Sequence, residues 1–392
     1  MPTLSVVVPT LNESDHIGHL LAQLDKQNGI DLEVVVADGG STDGTTQVVR
    51  AAGVRLVASP PGRGRQLNAA RRVARAPLLL FLHADSRLTR PTQLAEAVAH
   101  FQTARAKATT PVAGHFQLRF HDATARAFTY YEGLSALHRP QTVNGDQGLL
   151  IEAAWLDTLG GFHETLPFLE DQDLGERIRT QGTWTLLPGR LETSARRFLV
   201  EGVAERSIHN AVTMAFFSFR YAPFFAAERP RYRVQSHSHR LAVPPLARNV
   251  WRLVRRQPRI LLPLARYVNR HALWRAAFWL DVGRFDDQAV AHHPWLDRYD
   301  RWLAPLTHNR WFDALLVGPT LAVFLMTWLW CSRTGRPPTP GHDPALAPEA
   351  IPTVRNDPPT PRRADADRST YPSPSWTAGD SRPGSTETHS HH

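Results

Sequence analysis

A strand that ends in a carboxylate is the first place where residue types and spacing in this sequence could support chemistry. Residues 78–85 read LLLFLHAD, an apolar run closed by His83 and Asp85. Such a run is typical of a strand buried on both faces of a parallel sheet. Ligands of open α/β sheets bind beyond the carboxyl ends of the strands, where a carboxylate can hold a divalent metal against a diphosphate. The alternative is a strand that ends in a helix-capping aspartate.

A loop rich in glycine and arginine precedes this strand and could bind the same kind of anion. Residues 60–65 read PPGRGR and open a helix, so backbone N–H groups and the guanidinium groups of Arg63 and Arg65 could contact a phosphate. The loop is neither a dinucleotide-binding GxGxxG after a first strand nor a P-loop, because no Gly-Lys-Ser/Thr follows. Solvated arginines on a surface loop are the alternative.

Four short apolar runs predict the scaffold that positions these residues. Each run has the length of a buried strand and is apolar apart from Ser5, Glu33 or Arg55 in the first three, and a helix-like pattern or a helix cap follows each of these three. The runs are residues 4–8, 32–37, 54–58 and 78–82. Alternation of strand and helix predicts a parallel sheet with right-handed crossovers. Asp38 follows the second run, and the two glycines after it allow a tight turn.

The charge of the chain is concentrated in one segment. The 392 residues carry a net charge of +9 and are 42% hydrophobic, which is enough for a large domain with an appendage or for two domains. Residues 240–275 contain nine arginines and no acid, so the remainder of the chain is neutral overall. Any basic surface is therefore local, and nucleic acid is disfavoured as a partner.

Eight motifs in this sequence resemble, in order and spacing, those of family 2 glycosyltransferases of the GT-A fold. Within residues 6–85 they are VVVPTLNE, ADGGSTDGT, GRGRQLNAA and FLHAD, and within residues 144–198 they are NGDQGLLI, LGGF, LPFLEDQDL and TSARRF. The set is similar to the bacterial branch sometimes called rSAM/selenodomain-associated transferases. The resemblance covers roughly residues 1–225. It implies a nucleotide-diphospho-sugar transferase fold, a mostly parallel α/β sheet flanked by helices, to which the chain adds a helical C-terminal extension.

The resemblance implies a binding site for a nucleotide-sugar donor. Asp38 matches the aspartate that contacts the nucleotide base, although Gly39 stands where many relatives have a second acid. Arg63 or Arg65 matches the basic residue near the diphosphate. The remaining substrate-binding residues that the resemblance implies are Pro9, Glu13, His83, Asp146 and Glu170.

The metal-binding DxD motif of the family matches His83-Ala84-Asp85, so one of its two carboxylates is replaced. Asp85 is therefore the expected ligand of a divalent cation, Mg or Mn, and His83 could hydrogen-bond the nucleotide. The cation would take up charge on the departing diphosphate.

The resemblance also implies an acceptor-side base. The family's Glu-Asp pair matches Glu170 and Asp171, and Asp171 would deprotonate the acceptor hydroxyl in an inverting transfer. The alternative for Asp171 is an acid that complements the dipole of a first helical turn. Asp146 could bind the acceptor sugar or form a turn. The acceptor itself is not identified, because acceptor pockets lie in variable loops.

Two segments after the family motifs predict membrane association. Residues 240–275 form a basic amphipathic pattern whose apolar face, spaced at helical intervals, comprises Leu246, Val250, Leu253 and Val254. Residues 314–331 form an uncharged run bordered by tryptophans, a candidate transmembrane or membrane-inserted helix. Ordinary packed helices are the alternative for both. Use of a cytosolic nucleotide-sugar would place the catalytic domain on the cytoplasmic face of the cell membrane.

The expected domain organisation follows these changes in composition. Residues 1–225 form the transferase domain, 226–313 a basic helical region, 314–331 the apolar helix, and 332–392 a disordered proline-rich tail.

Two other functions fit parts of this pattern. A sugar-phosphate nucleotidyltransferase also has a Gly/Arg phosphate loop, but there the loop follows the first strand. A non-catalytic, membrane-tethered nucleotide-sugar binding module would explain the incomplete DxD motif, and retention of Asp171 argues against it.

Overall fold

The structure is a computed structural model that describes residues 1–166, 168–228, 240–282 and 293–334. The tail predicted to be disordered lies outside the described residues, except for positions 332–334, which end the last helix.

Within the described residues, eight strands form a single mixed sheet. They are β1 (Leu4–Thr10), β2 (Leu32–Asp38), β3 (Arg55–Ala58), β4 (Leu78–Phe81), β5 (Arg87–Leu88), β6 (Val112–Phe120), β7 (Leu149–Glu152) and β8 (Thr183–Thr193). Their order is β3-β2-β1-β4-β7-β6-β8-β5, and four of the seven pairings are parallel. The predicted fold class, a mostly parallel α/β sheet flanked by helices, is confirmed.

Helices cover both faces of this sheet and continue into a C-terminal helical region. They are α1 (Ser14–Asp25), α2 (Thr45–Ala51), α3 (Arg63–Val73), α4 (Gln93–Lys107), α5 (Arg126–Leu134), α6 (Ala153–Thr158), α7 (Glu170–Gln181), α8 (Arg196–Glu201), α9 (Val203–Ser218), α10 (Ala222–Glu228), α11 (Val243–Arg256), α12 (Leu261–Tyr267), α13 (Leu273–Asp281), α14 (Pro294–Arg298), α15 (Ala304–Thr307), α16 (Arg310–Leu315) and α17 (Val317–Thr334).

The side chains of each strand alternate between the two faces of the sheet, so the apolar core has one part on each face. Val6 and Val8 of β1 pack with α1, α2 and α4, whereas Val7 packs with α3, α6 and α7. Successive side chains of a strand point to opposite faces, so the three consecutive valines of β1, residues 6–8, are buried on both faces. Polar residues therefore lie at the strand ends, where they form the site described below.

The C-terminal helices form a third apolar cluster beside α7. Residues of α9, α10, α11 and α12 pack there with Phe168, which precedes α7. Leu246, Val250, Leu253 and Val254 share one face of α11, as predicted, but each of them is buried in this cluster. The expectation that this face contacts lipid is therefore wrong, because protein side chains cover it. The cluster contains residues from both sides of the domain boundary expected at residue 225. That boundary stays a prediction.

Residues 314–331 do not form the continuous helix that the sequence predicts. The run is divided between the end of α16 and α17, and one side of α17 packs on the C-terminal cluster through Val317, Leu321 and Phe324. Across the residues that the structure describes, none of the helices has both the length and the apolar character needed to cross a membrane. The prediction of a transmembrane helix here is corrected accordingly.

Candidate active site

The carboxyl ends of β1 and β2 hold Asp38 in a dense set of hydrogen bonds. Asp38 is buried at the end of β2, opposite Thr10 in the register. Its Oδ2 accepts from the backbone N–H groups of Gly40 and Ser41, both at 2.9 Å, and its Oδ1 accepts from the hydroxyls of Thr10 and Ser41. These bonds fix the carboxylate and the start of the loop that follows it. Pro9, one residue before Thr10, lies in the same strand.

Gln66 of α3 joins the same two strand ends, and sequence reasoning gave it no role. Its Nε2 donates to the carbonyl oxygens of Thr10 at 2.7 Å and Ala37 at 3.1 Å. A Cβ at Gly39 would lie 3.0 Å from the Gln66 amide, so the Gln66 side chain fills the space beside this glycine. The GRGRQ motif contains the signal, since a polar residue on the inner side of α3 needs a partner.

The loops after β1 and β2 are tied together by side chains. Asn12 N–H donates to Ser41 Oγ, and Asn12 Oδ1 accepts from Thr42 N–H, both at 2.8 Å. Glu13 N–H donates to Thr45 Oγ1 at 2.8 Å. Asn12 has a φ of 57°, a left-handed conformation that asparagine tolerates better than most residues. These bonds place the Glu13 side chain at the carboxyl edge of the sheet.

Glu13 and Asp85 are two carboxylates that repel each other across this edge. Burial raises the pKa of Glu13 to about 7, and the charge of Asp85 adds to the effect, against the opposing charges of Arg196, His83 and Arg63. Within the described part of the chain, no group of three or more His, Cys, Asp or Glu side chains is placed to hold a metal ion. The hard oxygen donors of Glu13 and Asp85 nevertheless suit Mg or Mn, and a cation would relieve their repulsion.

His83 forms an ion pair with Asp146 on the other side of the β4 end. The distance from His83 Nδ1 to Asp146 Oδ1 is 2.7 Å. Burial and Arg63 oppose protonation of His83, but the bond to Asp146 outweighs them and raises the pKa of His83. Asp146 was predicted either to bind the acceptor sugar or to form a turn. It lies in the turn Gly145–Gln147, capped by Asn144 Oδ1, and its carboxylate contacts His83.

Asp171 approaches the same turn from the first residues of α7. Its Oδ2 accepts from Gly145 N–H at 2.7 Å, and its Oδ1 accepts from Gln172 N–H at 2.8 Å. A Cβ at Gly145 would lie 3.0 Å from His83 Nε2 and 3.4 Å from Asp171 Oδ2, so both side chains border this glycine. Leu169, the residue before α7, has a φ of 67°, a strained conformation that clusters at functional sites.

Arg63 lies beside the acidic residues of the site, whereas Arg65 does not contact them. Arg63 Nε lies 3.6 Å from Glu170 Oε1. Burial raises the pKa of Glu170, and the charge of Asp171 adds to this while Arg63 opposes it. Arg65 follows on the exposed side of α3, and the described contacts do not connect it with Asp38, Glu170 or Asp171. Of the two arginines proposed from the sequence, Arg63 is the one beside the predicted site residues.

The site contains two recesses, and Asp171 and Asp85 line different ones. One, of about 500 Å³ including its opening, is lined by apolar side chains such as Phe81 and Ile178 and by His83 and Asp171. The other, of about 360 Å³, is lined by Asp85 with polar residues that include His16 and Ser194. Arg196, two residues after Ser194, lowers the pKa of both Glu13 and His16 through its charge, so this basic residue lies on the Asp85 side.

A family model and several curated proteins match this chain. Residues 5–149 match the model of glycosyl transferase family 2. Validoxylamine A glucosyltransferase of Streptomyces hygroscopicus subsp. jinggangensis is 31% identical over 223 residues, which is 46% of this chain and 52% of that protein. Glucosyl-3-phosphoglycerate synthase of Mycolicibacterium paratuberculosis is 33% identical over 93 residues, 21% of this chain and 28% of that protein. The chain thus spans about half the length, or less, of these relatives.

Solved structures also align with the chain over most of its length. Staphylococcus aureus TarS 1–349 is 16% identical with a TM-score of 0.46, covering 84% of this chain and 90% of that one. The mannosyltransferase PcManGT from Pyrobaculum calidifontis, in complex with GDP-Man and Mn2+, is 18% identical with a TM-score of 0.41, covering 84% and 87%.

The family match falls on the part of the chain that builds the site. Residues 5–149, which include the ends of β1, β2 and β4, match glycosyl transferase family 2, and the resemblance recognised from the sequence motifs is confirmed over these residues.

Proposed function

We propose that the protein transfers a sugar, with inversion, from a nucleotide-diphospho-sugar to an acceptor hydroxyl, assisted by a divalent metal. The observation that supports it most is the position of Asp171, a carboxylate oriented by two backbone N–H groups beside the His83–Asp146 pair. Each oxygen of Asp171 keeps a lone pair that could accept the proton of an acceptor hydroxyl. The bacterial branch suggested by the sequence, and the cytoplasmic placement of the site, remain predictions.

On the donor side, the residues of the β1, β2 and β4 ends would hold the nucleotide diphosphate. Asp38 would contact the base and Pro9 the nucleoside, since both lie at the edge where open α/β sheets bind ligands. Arg63 would contact the diphosphate from the start of α3. Asp85 and Glu13 would hold the cation, whose chemistry when bound is to neutralise charge on the departing diphosphate.

On the acceptor side, the groups around Gly145 would place the attacking hydroxyl. Asp171 would accept its proton, and Glu170 and Asp146 would orient the acceptor through hydrogen bonds. The raised pKa of Glu170 suits a donor of a hydrogen bond to a hydroxyl rather than a second base. The His83–Asp146 pair holds the turn against the end of β4.

A donor screen tests this proposal. The full chain is mixed with a panel of nucleotide-diphospho-sugars and Mg or Mn, and release of the nucleoside diphosphate is measured with and without chelator. We expect release from one donor class, dependent on the metal. Binding of a nucleoside diphosphate without turnover of any donor would instead support a binding module. In a parallel reaction with a sugar 1-phosphate and a nucleoside triphosphate, formation of a nucleotide-sugar with release of pyrophosphate would support a nucleotidyltransferase.

Membrane association also remains part of the proposal, although the residues that support it are not those expected from the sequence.

A further inference from the structure

Two consecutive helical segments present large apolar side chains to solvent: residues 299–307, in which Tyr299–Leu303 precedes α15, and α16. Trp302 and Leu306 are 67% and 71% exposed, and Trp311 and Leu315 are 78% and 68% exposed. The members of each pair are four residues apart, so each pair shares one face of its helical segment. With Leu303, these four residues are called the outward apolar surface.

Two polar residues of the same segments, Thr307 and Asp313, point inward. Asn269 Nδ2 donates to the Thr307 carbonyl oxygen and to Asp313 Oδ1, both at 2.7 Å, and Arg266 Nε donates to Asp313 Oδ2 at 3.1 Å. Thr307 and Asp313 are buried by these contacts. Helices exposed to water normally have the opposite arrangement, with polar residues outward. A cluster of outward tryptophan and leucine side chains marks an interaction site.

The helical region that carries this surface is strongly basic. Residues 240–282 and 293–334 contain 13 arginines and four aspartates, a difference of +9 that equals the net charge of the whole chain. Two of the aspartates, Asp281 and Asp313, are buried and hydrogen-bonded. Arg301 and Arg310 are exposed directly beside the tryptophans. The partner of this surface should therefore combine apolar groups with negative charge.

We propose that the outward apolar surface docks on a bilayer of anionic phospholipids, lying in the interface without spanning it. Tryptophan prefers the headgroup level of a bilayer, and leucine side chains can enter the acyl boundary beneath it. Arginine side chains beside them can contact lipid phosphates. The proposal specifies the membrane partner of the proposed transferase, and it does not depend on which sugar is transferred.

Two other partners could cover the outward apolar surface, a segment of this chain or a second copy of it, but both fit less well. The segment 335–392 contains only five large apolar residues, separated by prolines and charges: Leu346, Ile351, Val354, Tyr371 and Trp376. It has no helical or strand-like apolar pattern that could cover the surface. A second copy of the chain would bring two basic regions together, and like charges in one interface repel.

Sedimentation with vesicles tests the proposal on the full chain, without any nucleotide-sugar. We expect the protein to bind vesicles of phosphatidylcholine containing phosphatidylglycerol much more strongly than phosphatidylcholine alone. The double variant Trp302→Gln/Trp311→Gln should lower the partition coefficient at least about tenfold, because each tryptophan side chain buries roughly 150–250 Å². Leu199→Gln, which replaces an exposed apolar residue of α8, is the matched control and should leave binding unchanged.

A second variant separates the electrostatic part of the binding. Arg301→Gln/Arg310→Gln should weaken binding at low salt, with a smaller difference near 1 M salt, where the Debye length is about 3 Å. Equal binding to neutral and anionic vesicles would overturn the proposal, and so would unchanged binding of the tryptophan variant. A dimer that dissociates in the tryptophan variant, without vesicle binding, would assign the surface to self-association. Because no donor is present, a failure here leaves the proposed transfer reaction intact.

Discussion

Asp171 differs from the other acids in the first turn of α7 in what its carboxylate contacts. Glu170 faces Arg63, and Asp173 is bonded to Arg177 and Arg220. The described hydrogen bonds of Asp171 come from backbone N–H groups, which orient the carboxylate without neutralising its charge. The motif EDQD does not distinguish these acids by itself, since their partners come from distant parts of the chain. Only the resemblance to a family singled out Asp171.

Replacing Asp171 by Asn tests its role as the base. The amide keeps the size of the side chain but cannot take up the proton, so transfer should fall by about two to four orders of magnitude while donor affinity is retained. Turnover is measured as nucleoside diphosphate release, and donor binding by calorimetry. Asp173→Asn is the comparison: it should lower stability because it removes a buried ion pair, and its loss of rate should be smaller than that of Asp171→Asn because the proposed base is retained. A parallel loss of donor affinity in Asp171→Asn would contradict the assignment.

The first four strands, β1 to β4, were predictable from the sequence to within about two residues, whereas the bounds of the other four strands and the pairing of the sheet were not. Residues 78–82 are apolar throughout and residues 4–8 are apolar except for Ser5, as expected of strands buried on both faces of a parallel sheet. The antiparallel pairing of β7 with β4 depends on segments far apart in the chain, so no local pattern encodes it. For the same reason the sequence did not reveal that the turn Gly145–Gln147 contacts both His83 and Asp171.

Gln66 shows how one side chain of a helix can set the geometry of two strand ends. Its amide donates to carbonyl oxygens at the ends of β1 and β2, next to Asp38. Gln66→Glu should destabilise the fold by about 1–3 kcal/mol, because a carboxylate would face two carbonyl oxygens without a donor. It should also weaken donor binding through displacement of Asp38.

Chemical denaturation and donor titration measure the two effects of Gln66→Glu. Gln47→Glu, on the exposed side of α2, introduces the same charge and should change neither quantity. Loss of stability with unchanged donor affinity would show that Gln66 supports the sheet alone.

The C-terminal helical region is the part of the whole molecule that the sequence described least well. Its helical periodicity was predicted correctly, but lipid and a protein core select the same apolar face, so the pattern does not identify what covers it. In the structure the face of α11 packs inside the protein, and other residues, including Trp302 and Trp311, remain exposed. The apolar run at 314–331 is interrupted at Leu316, and Pro319 lies in the first turn of α17, where it is tolerated.

The C-terminal apolar cluster, which begins with α9 and α10, also contacts the helical turn that carries Asp171. Arg220, between α9 and α10, donates from Nη1 to Asp173 Oδ1 at 2.7 Å. Phe168, just before α7, packs against Phe225 with ring centroids 5.5 Å apart. Arg220 adopts a left-handed φ of 51°, a strained conformation that the surrounding contacts must maintain. The helical region therefore supports the wall of the cleft on which the proposed base is placed.

Arg220→Gln tests whether this support matters for turnover. Loss of the charged contact should let the first turn of α7 shift, and a small displacement of the base should lower kcat by about tenfold to a hundredfold. The KM for the donor should stay unchanged, because Asp38, Arg63 and Asp85 belong to other elements. Arg248→Gln, an exposed arginine of α11, controls for the loss of positive charge and should behave as wild type. If kcat is unaffected by Arg220→Gln, or falls equally in Arg248→Gln, the helical region stabilises the fold without positioning Asp171.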